Sequence, residues 1–247
     1  MDRDNFWVHK DHFSGASSLG QFSVPHLIWI AIVVALIAAL VILYRNVIRS
    51  QQYNIRKVIA LTLVGMDIFK LCTMALTGAP VAEYLPLEIC SIASYLILLD
   101  ALWPESKFFS PLLVLLFLPA AIMALLFPTV IGLPPINFYT IHQFIFHGLI
   151  VAYALSLYVN KEVKLSYGAL WAAILKIFII ALGVYYIDIK FNKTFMFLTD
   201  PYGNPVLSLI WNITGGGRMY TIGLVLFVIV VLHIFYFIFK MIDKLRR

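Results

Sequence analysis

Val24-Pro25-His26-Leu27-Ile28-Trp29-Ile30-Ala31-Ile32-Val33-Val34-Ala35-Leu36-Ile37-Ala38-Ala39-Leu40-Val41-Ile42-Leu43-Tyr44 runs for 21 residues without a charged side chain. At about 1.5 Å of rise per residue a helix of this length covers about 30 Å, the depth of the hydrocarbon core of a bilayer. Similar runs recur along the chain, and about seven membrane spans are expected, near 23–45, 55–78, 84–103, 108–128, 138–160, 166–187 and 217–241. Pro80, Pro104, Pro128, Pro134, Pro135 and the triplet Gly215-Gly216-Gly217 mark their ends, because these residues break or delay a helix.

The composition agrees: 62% of the 247 residues are hydrophobic and only 12% charged, with a mean hydropathy of +0.95. An average soluble domain is roughly a quarter charged. The expected fold is therefore an all-α polytopic membrane protein, with residues 1–247 forming one integral membrane domain, since the loops leave no room for a separate water-soluble module. Residues 1–24 carry Asp2, Arg3, Asp4, His9, Lys10, Asp11 and His12. That is not the basic-then-apolar order of a cleavable signal, and the first span is expected to act as an uncleaved anchor.

Charge gives an orientation. Arg45, Arg49, Arg56, Lys57, Lys107, Lys161, Lys164, Lys240, Lys244, Arg246 and Arg247 fall on one side of the seven-span map. Arg3, Lys10, Lys190, Lys193 and Arg218 fall on the other, and Lys70 and Lys176 lie within spans. The positive-inside rule then puts the N-terminus outside and the C-terminus in the cytosol. The net charge of +6 reflects loops facing anionic lipid rather than nucleic acid.

In this topology the third and fifth spans both run inward, so Cys90 and His147 lie at similar depth, one to three turns below the outer surface. A thiolate is a strong nucleophile and a nearby imidazole is the usual device for making one, so the two are candidates for one catalytic site. Thr140, Gln143 and His147 follow at spacings of three and four and stack on one helical face, which must look into the bundle. A hydrogen-bond network between helices would place them there equally well. Ser94, four residues after Cys90, is expected to line the same groove, and Glu88 to orient a neighbouring helix or serve as an acid or base. Asp67 and Lys70, three apart, are expected to form a local ion pair. Cys72 reads as a packing residue, and His233 has no visible partner. Asp100 and Lys176 are single charges expected to snorkel or to pair across helices. The segment 188–218, rich in aromatics and turn formers, is expected to be a packed cap or re-entrant piece.

Other chemistries find no support. Cys72 and Cys90 form no disulfide framework, His142 and His147 are five rather than four apart, and no His-Glu-x-x-His run occurs. No metal and no cofactor are expected. A phosphate-cradling glycine motif and a Gly-x-Ser-x-Gly elbow are also absent from the sequence.

The run Leu85-Pro86-Leu87-Glu88-Ile89-Cys90, with His147 on a later span and Phe195-Met196-Phe197-Leu198 before Asp200-Pro201, resembles the YwaF-like bacterial membrane proteins. Those look like the transmembrane protein 164 family of phospholipid acyltransferases and, more distantly, the androgen-induced membrane enzymes that hydrolyse fatty esters. The resemblance implies Cys90 as acyl-carrying nucleophile, His147 as general base and acid, a phospholipid or lysophospholipid substrate, and a bacterial plasma membrane. Two positions depart from the pattern: Glu88 stands where many relatives have histidine, and Thr194 where asparagine is frequent, with Asn192 close by. The expected function is a membrane lipid acyltransferase or transacylase working through an acyl-thioester, with Thr140, Gln143 and Asn192 as donors to the oxyanion. Water as acceptor would make it a lipid-ester hydrolase. The buried polar faces by themselves also suit a transporter or small-molecule binder.

Overall fold

The computed structural model describes residues 6–9 and 18–245. Arg3, Lys10, Arg246 and Arg247, which enter the charge asymmetry, lie outside the described residues, as do Asp2, Asp4, Asp11 and His12. Among the described residues every regular element is helical. The main helices are α1 (Val24–Asn46), α2 (Arg49–Thr77), α3 (Ile89–Leu102), α4 (Ser110–Leu126), α5 (Phe138–Val159), α6 (Tyr167–Phe191), α7 (Pro205–Thr214) and α8 (Gly217–Leu245). Five of them, α1, α2, α5, α6 and α8, are long and apolar enough to cross a membrane.

The two remaining expected spans are shorter than the sequence suggested. α3 has 14 residues instead of the 20 expected over 84–103, because Leu85-Pro86-Leu87 forms a turn and the helix begins only at Ile89. The residue before a proline is pushed out of the α region, which delays the helix. α4 contains a π turn over Leu113–Phe117, where Leu118 N–H donates to Leu113 O. Pro119 follows directly, and a proline that can neither donate to the preceding turn nor fit against it accounts for the local widening.

α5 is the hub. It packs against α1, α2, α3 and α4, and 83% of its most apolar window is buried, against 11% for α1. α1 approaches closely at Gly148, where an added Cβ would stand 2.6 Å from Val33 Cγ1. Small residues at such crossings let two backbones approach, which is how helices associate in a lipid environment. α5 starts cleanly because the Asn137 side chain accepts from Tyr139 N–H at 2.8 Å.

The helices alternate between two ends. At one end Leu19 N–H donates to Leu133 O, His26 Nε2–H to Leu125 O at 2.9 Å, and Trp29 Nε1–H to Pro135 O. These bonds tie the start of α1 to the α4–α5 connection. At the other end Arg49, Lys107 and Glu162 meet, bringing together the α1–α2, α3–α4 and α5–α6 connections. α3 and α4 lie between these two ends and are shorter than the helices beside them.

The segment after α6 is a packed cap. Asp188, almost fully buried, accepts from Phe195 N–H at 3.0 Å, and Glu88 accepts from Met196 N–H at 3.0 Å. Tyr220 and Thr221 donate from α8 to Phe197 O and Leu198 O at 2.8 and 2.9 Å. Met196 and Phe197 have φ of 54° and 57°, a left-handed pair that side chains avoid unless the surroundings over-determine it. The short helix α7, not expected as an element, folds back on α8 through Gly215, Gly216 and Gly217. The Trp211 ring fills the space beside Gly216, 2.6 Å from where a Cβ would sit, so the triplet is a tight corner and not a loose joint.

Candidate functional site

The polar cluster lies where α2, α3 and α5 meet beneath the cap. α2 contributes the expected ion pair, Lys70 Nζ to Asp67 Oδ1 at 2.8 Å, with Asp67 fully buried and the Lys70 side chain 18% exposed. Asp67 Oδ2 is buried without a partner. A carboxylate this deep carries a large desolvation cost, which the lysine one turn away offsets only in part.

α3 presents Cys90 as its second residue, partly buried against the core. Glu88 occupies the N-cap position but does not cap, since its carboxylate is turned to Met196. The first intrahelical bond runs from Ile92 N–H to Glu88 O, so the amides of Ile89, Cys90 and Ser91 keep the unsatisfied donors of a helix start. The sulfur therefore stands at the positive end of α3. Burial opposes negative charge on it, Glu88 and Asp67 repel that charge, and Lys70 attracts it.

α5 presents His147, buried, with Nδ1 2.6 Å from Gln143 O. A carbonyl can only accept, so Nδ1 carries the proton and Nε2 is left as the basic nitrogen. Asp67 and Lys70 also act electrostatically on His147, and Lys70 on His142 and Glu88. One charge pair on α2 is thus shared by the thiol of α3 and the imidazole of α5. No hydrogen bond joins Cys90 to His147. His142, on another face of α5, stacks on Phe146, and its buried Nε2 has no partner.

The other expected site residues are largely committed to structure. Thr140 donates to Pro134 O at 3.0 Å and Gln143 Nε2–H to Ala124 O at 3.2 Å, so both fasten α5 to the α4–α5 connection and to α4. Ser94 is fully buried and donates to Ser91 O within its own helix. Asn192 caps α6 in the left-handed conformation and lines a separate hollow of about 80 Å³ with Glu83, Lys193, Thr194, Phe195 and Tyr202. Cys72, expected to be packed, is exposed on α2, as a small apolar side chain on a lipid-facing surface can be.

Sequence reasoning missed the largest polar feature, at the opposite end. Arg56, 1% exposed, pairs with Asp100, reaches Glu162 at 3.3 Å and donates from Nε–H to Tyr153 Oη at 3.1 Å. Asp100 also accepts from Tyr153 and Ser110, and Glu162 from Tyr44 at 2.6 Å and from Arg49. Arg56 counts in the sequence with the charges of one side, at the edge of the expected span, and Asp100 is expected to snorkel or to pair across helices; it pairs, with Arg56, because α2 starts six residues earlier than expected and carries Arg56 into the bundle. Lys176 reaches back to Phe108 O at 2.5 Å and lies over the Phe108 ring. His233 sits against Tyr167 and Trp171.

No curated protein and no solved structure matches the chain. The cysteine on the uncapped start of α3, the histidine on the buried hub helix and the carboxylate-stapled aromatic-Met-aromatic cap all fall inside a match to one family model, over residues 21–237. The chain belongs to the TMEM164 family.

Proposed function

We propose that this multi-pass membrane protein is a lipid acyltransferase or transacylase that works through Cys90 and His147. The observation that carries this reading is the state of the two side chains. His147 has its Nδ1 proton committed to Gln143 O, so Nε2 is available as a base. Cys90 stands on a helix start whose amides are not capped.

In the first step His147 Nε2 takes the thiol proton, directly after a Cys90 side-chain rotation or through one water. The thiolate adds to a phospholipid ester carbonyl, and the bond to the glycerol oxygen breaks. That oxygen leaves with the proton from His147, giving an acyl-thioester and a lysolipid. In the second step a lysolipid hydroxyl, deprotonated by His147, attacks the thioester and regenerates the thiol. Water in its place gives a fatty acid, the hydrolase outcome.

With the Thr140 hydroxyl and one N–H of Gln143 already engaged, the backbone amides at the start of α3 are the better oxyanion donors, and one well-placed donor contributes about 3 kcal/mol. Glu88 holds the cap over this end by its bond to Met196, and Asn192 belongs to the cap's rim. We read α3 and α4 as two short spans that complete seven, with the N-terminus outside, the basic end cytosolic and the site in the outer leaflet of a bacterial plasma membrane. The Arg49, Lys107, Lys161 and Lys164 side chains at one end support this orientation.

The test treats purified protein with labelled phospholipid and looks for a hydroxylamine-sensitive acyl adduct. The expected result is an adduct in the wild type that is lost in Cys90→Ala and strongly slowed in His147→Ala. Full lipid-acyl exchange in both variants overturns the mechanism. The unpartnered Asp67 Oδ2 favours a second reading, a transporter using the Asp67–Lys70 pair. Solute flux in proteoliposomes that depends on Asp67 but not on Cys90 would select it.

A further inference from the structure

The basic end of the bundle holds an open hollow of about 710 Å³, well away from Cys90 and His147. Arg49, Lys107, Lys161 and Lys164 line it, with Glu162 as its one carboxylate. That carboxylate is already engaged by Tyr44 and by Arg56 beneath and by Arg49 at 2.8 Å, with Lys107 Nζ at 3.9 Å. Lys161 and Lys164 have no ion-pair partner among the described residues.

From these observations we propose that the hollow binds a phosphate-bearing anion. Lysines that serve only to anchor a helix radiate outward to the lipid surface around it. These converge on a concavity, and the turn that carries two of them is fixed. Lys161 N–H donates to Tyr158 O and Glu162 N–H to Leu157 O, the Asn160 side chain donates to Ser156 O, and Ser166 caps the next helix. Lys161 itself is held at φ 59°, a conformation that only a well-determined turn maintains. The lining also includes the first turn of α4 at Ser110 and Pro111 and that of α6 at Ala169, and α2 begins at Arg49. The uncapped starts of α2 and α4 therefore add positive potential to four cationic side chains, the combination that receives phosphate oxygens. A volume of this size suits a headgroup or a small phosphate ester. The source is either a lipid headgroup in the adjoining leaflet or a phosphate compound from the aqueous side. The proposal does not depend on the chemistry at Cys90.

The test reconstitutes the full chain in phosphatidylcholine nanodiscs. One arm measures binding of fluorescent phosphatidic acid added to the disc, and the other binding of inorganic phosphate from solution. Binding of at least one probe by the wild type is expected, weakened about thirtyfold in Lys161→Ala/Lys164→Ala, since each lysine contributes about fivefold. Lys161→Arg/Lys164→Arg should retain it. Both lysines are exposed, so the melting temperature should not change and a lost signal cannot be ascribed to unfolding. Phosphatidic acid binding alone assigns the lipid headgroup; inorganic phosphate binding assigns the soluble anion. No binding of either probe, or equal binding by the wild type and the double alanine variant, overturns the proposal.

Discussion

Replacing Arg56 by methionine should be among the most destabilising single changes in this protein. The side chain is 1% exposed and answers two carboxylates, Asp100 at 0% and Glu162 at 6%. Methionine fills much of the same volume, so the loss is mainly electrostatic. It strands Asp100 with only the hydroxyls of Tyr153 and Ser110, while Glu162 keeps Tyr44, Arg49 and Lys107. Breaking a buried pair from one side costs about 3–5 kcal/mol, because the remaining charge keeps its desolvation penalty. For a chain of this size that corresponds to a fall in melting temperature of about 6–20 °C. The assay is thermal unfolding of detergent-purified protein followed by tryptophan fluorescence. Arg49→Met is the control: that arginine meets the same Glu162, but its side chain is 45% exposed, and its loss should cost about 1 kcal/mol or less. Arg56→Met/Asp100→Leu should recover about half or more of the loss, because it removes both buried charges. The reasoning is refuted if Arg56→Met melts within about 2 °C of the wild type, or no lower than Arg49→Met.

Gly148→Ala should cost about 1–3 kcal/mol, since the new methyl would stand 2.6 Å from Val33 Cγ1 and must push α1 from α5; Val33→Ala should restore part of the melting temperature in the double variant. Glu88→Ala should remove about 1.5–3 kcal/mol of support from the cap by orphaning Met196 N–H, read as faster amide exchange over 193–198; Glu88→Gln, which keeps an acceptor, should leave exchange nearly unchanged. Gln143→Ala should cost about 1 kcal/mol of stability through the lost bond to Ala124 O yet leave acyl transfer within about threefold, because His147 is held by the backbone carbonyl of residue 143. A loss of a hundredfold or more in that variant would return Gln143 to the oxyanion site.

Much of this protein can be read one helix at a time. The apolar runs of α1, α2, α5, α6 and α8, the Asp67–Lys70 pair and the cap after α6 depend on neighbours in sequence: about 20 apolar residues, a spacing of three, a cluster of turn formers. Cys90 and His147 are candidates that the sequence offers from the seven-span map alone. What the sequence left open depended on the direction of side chains between helices. Thr140 and Gln143 share a face with His147, but whether that face offers donors to a substrate or spends them on Pro134 and Ala124 is set by where α4 ends. Glu88 sits at a helix N-cap, yet its carboxylate serves a chain segment more than a hundred residues away.

The amino-acid order by itself determined that this is a helical membrane protein, because hydrophobic length against bilayer thickness is a local quantity. It also named Cys90 and His147 as the candidate reactive groups. Only the tertiary structure decided what those groups are free to do. In the apolar interior a buried donor or acceptor without a partner is costly, and the partners of Arg56, Asp100, Glu162, Glu88 and Gln143 come from other parts of the chain.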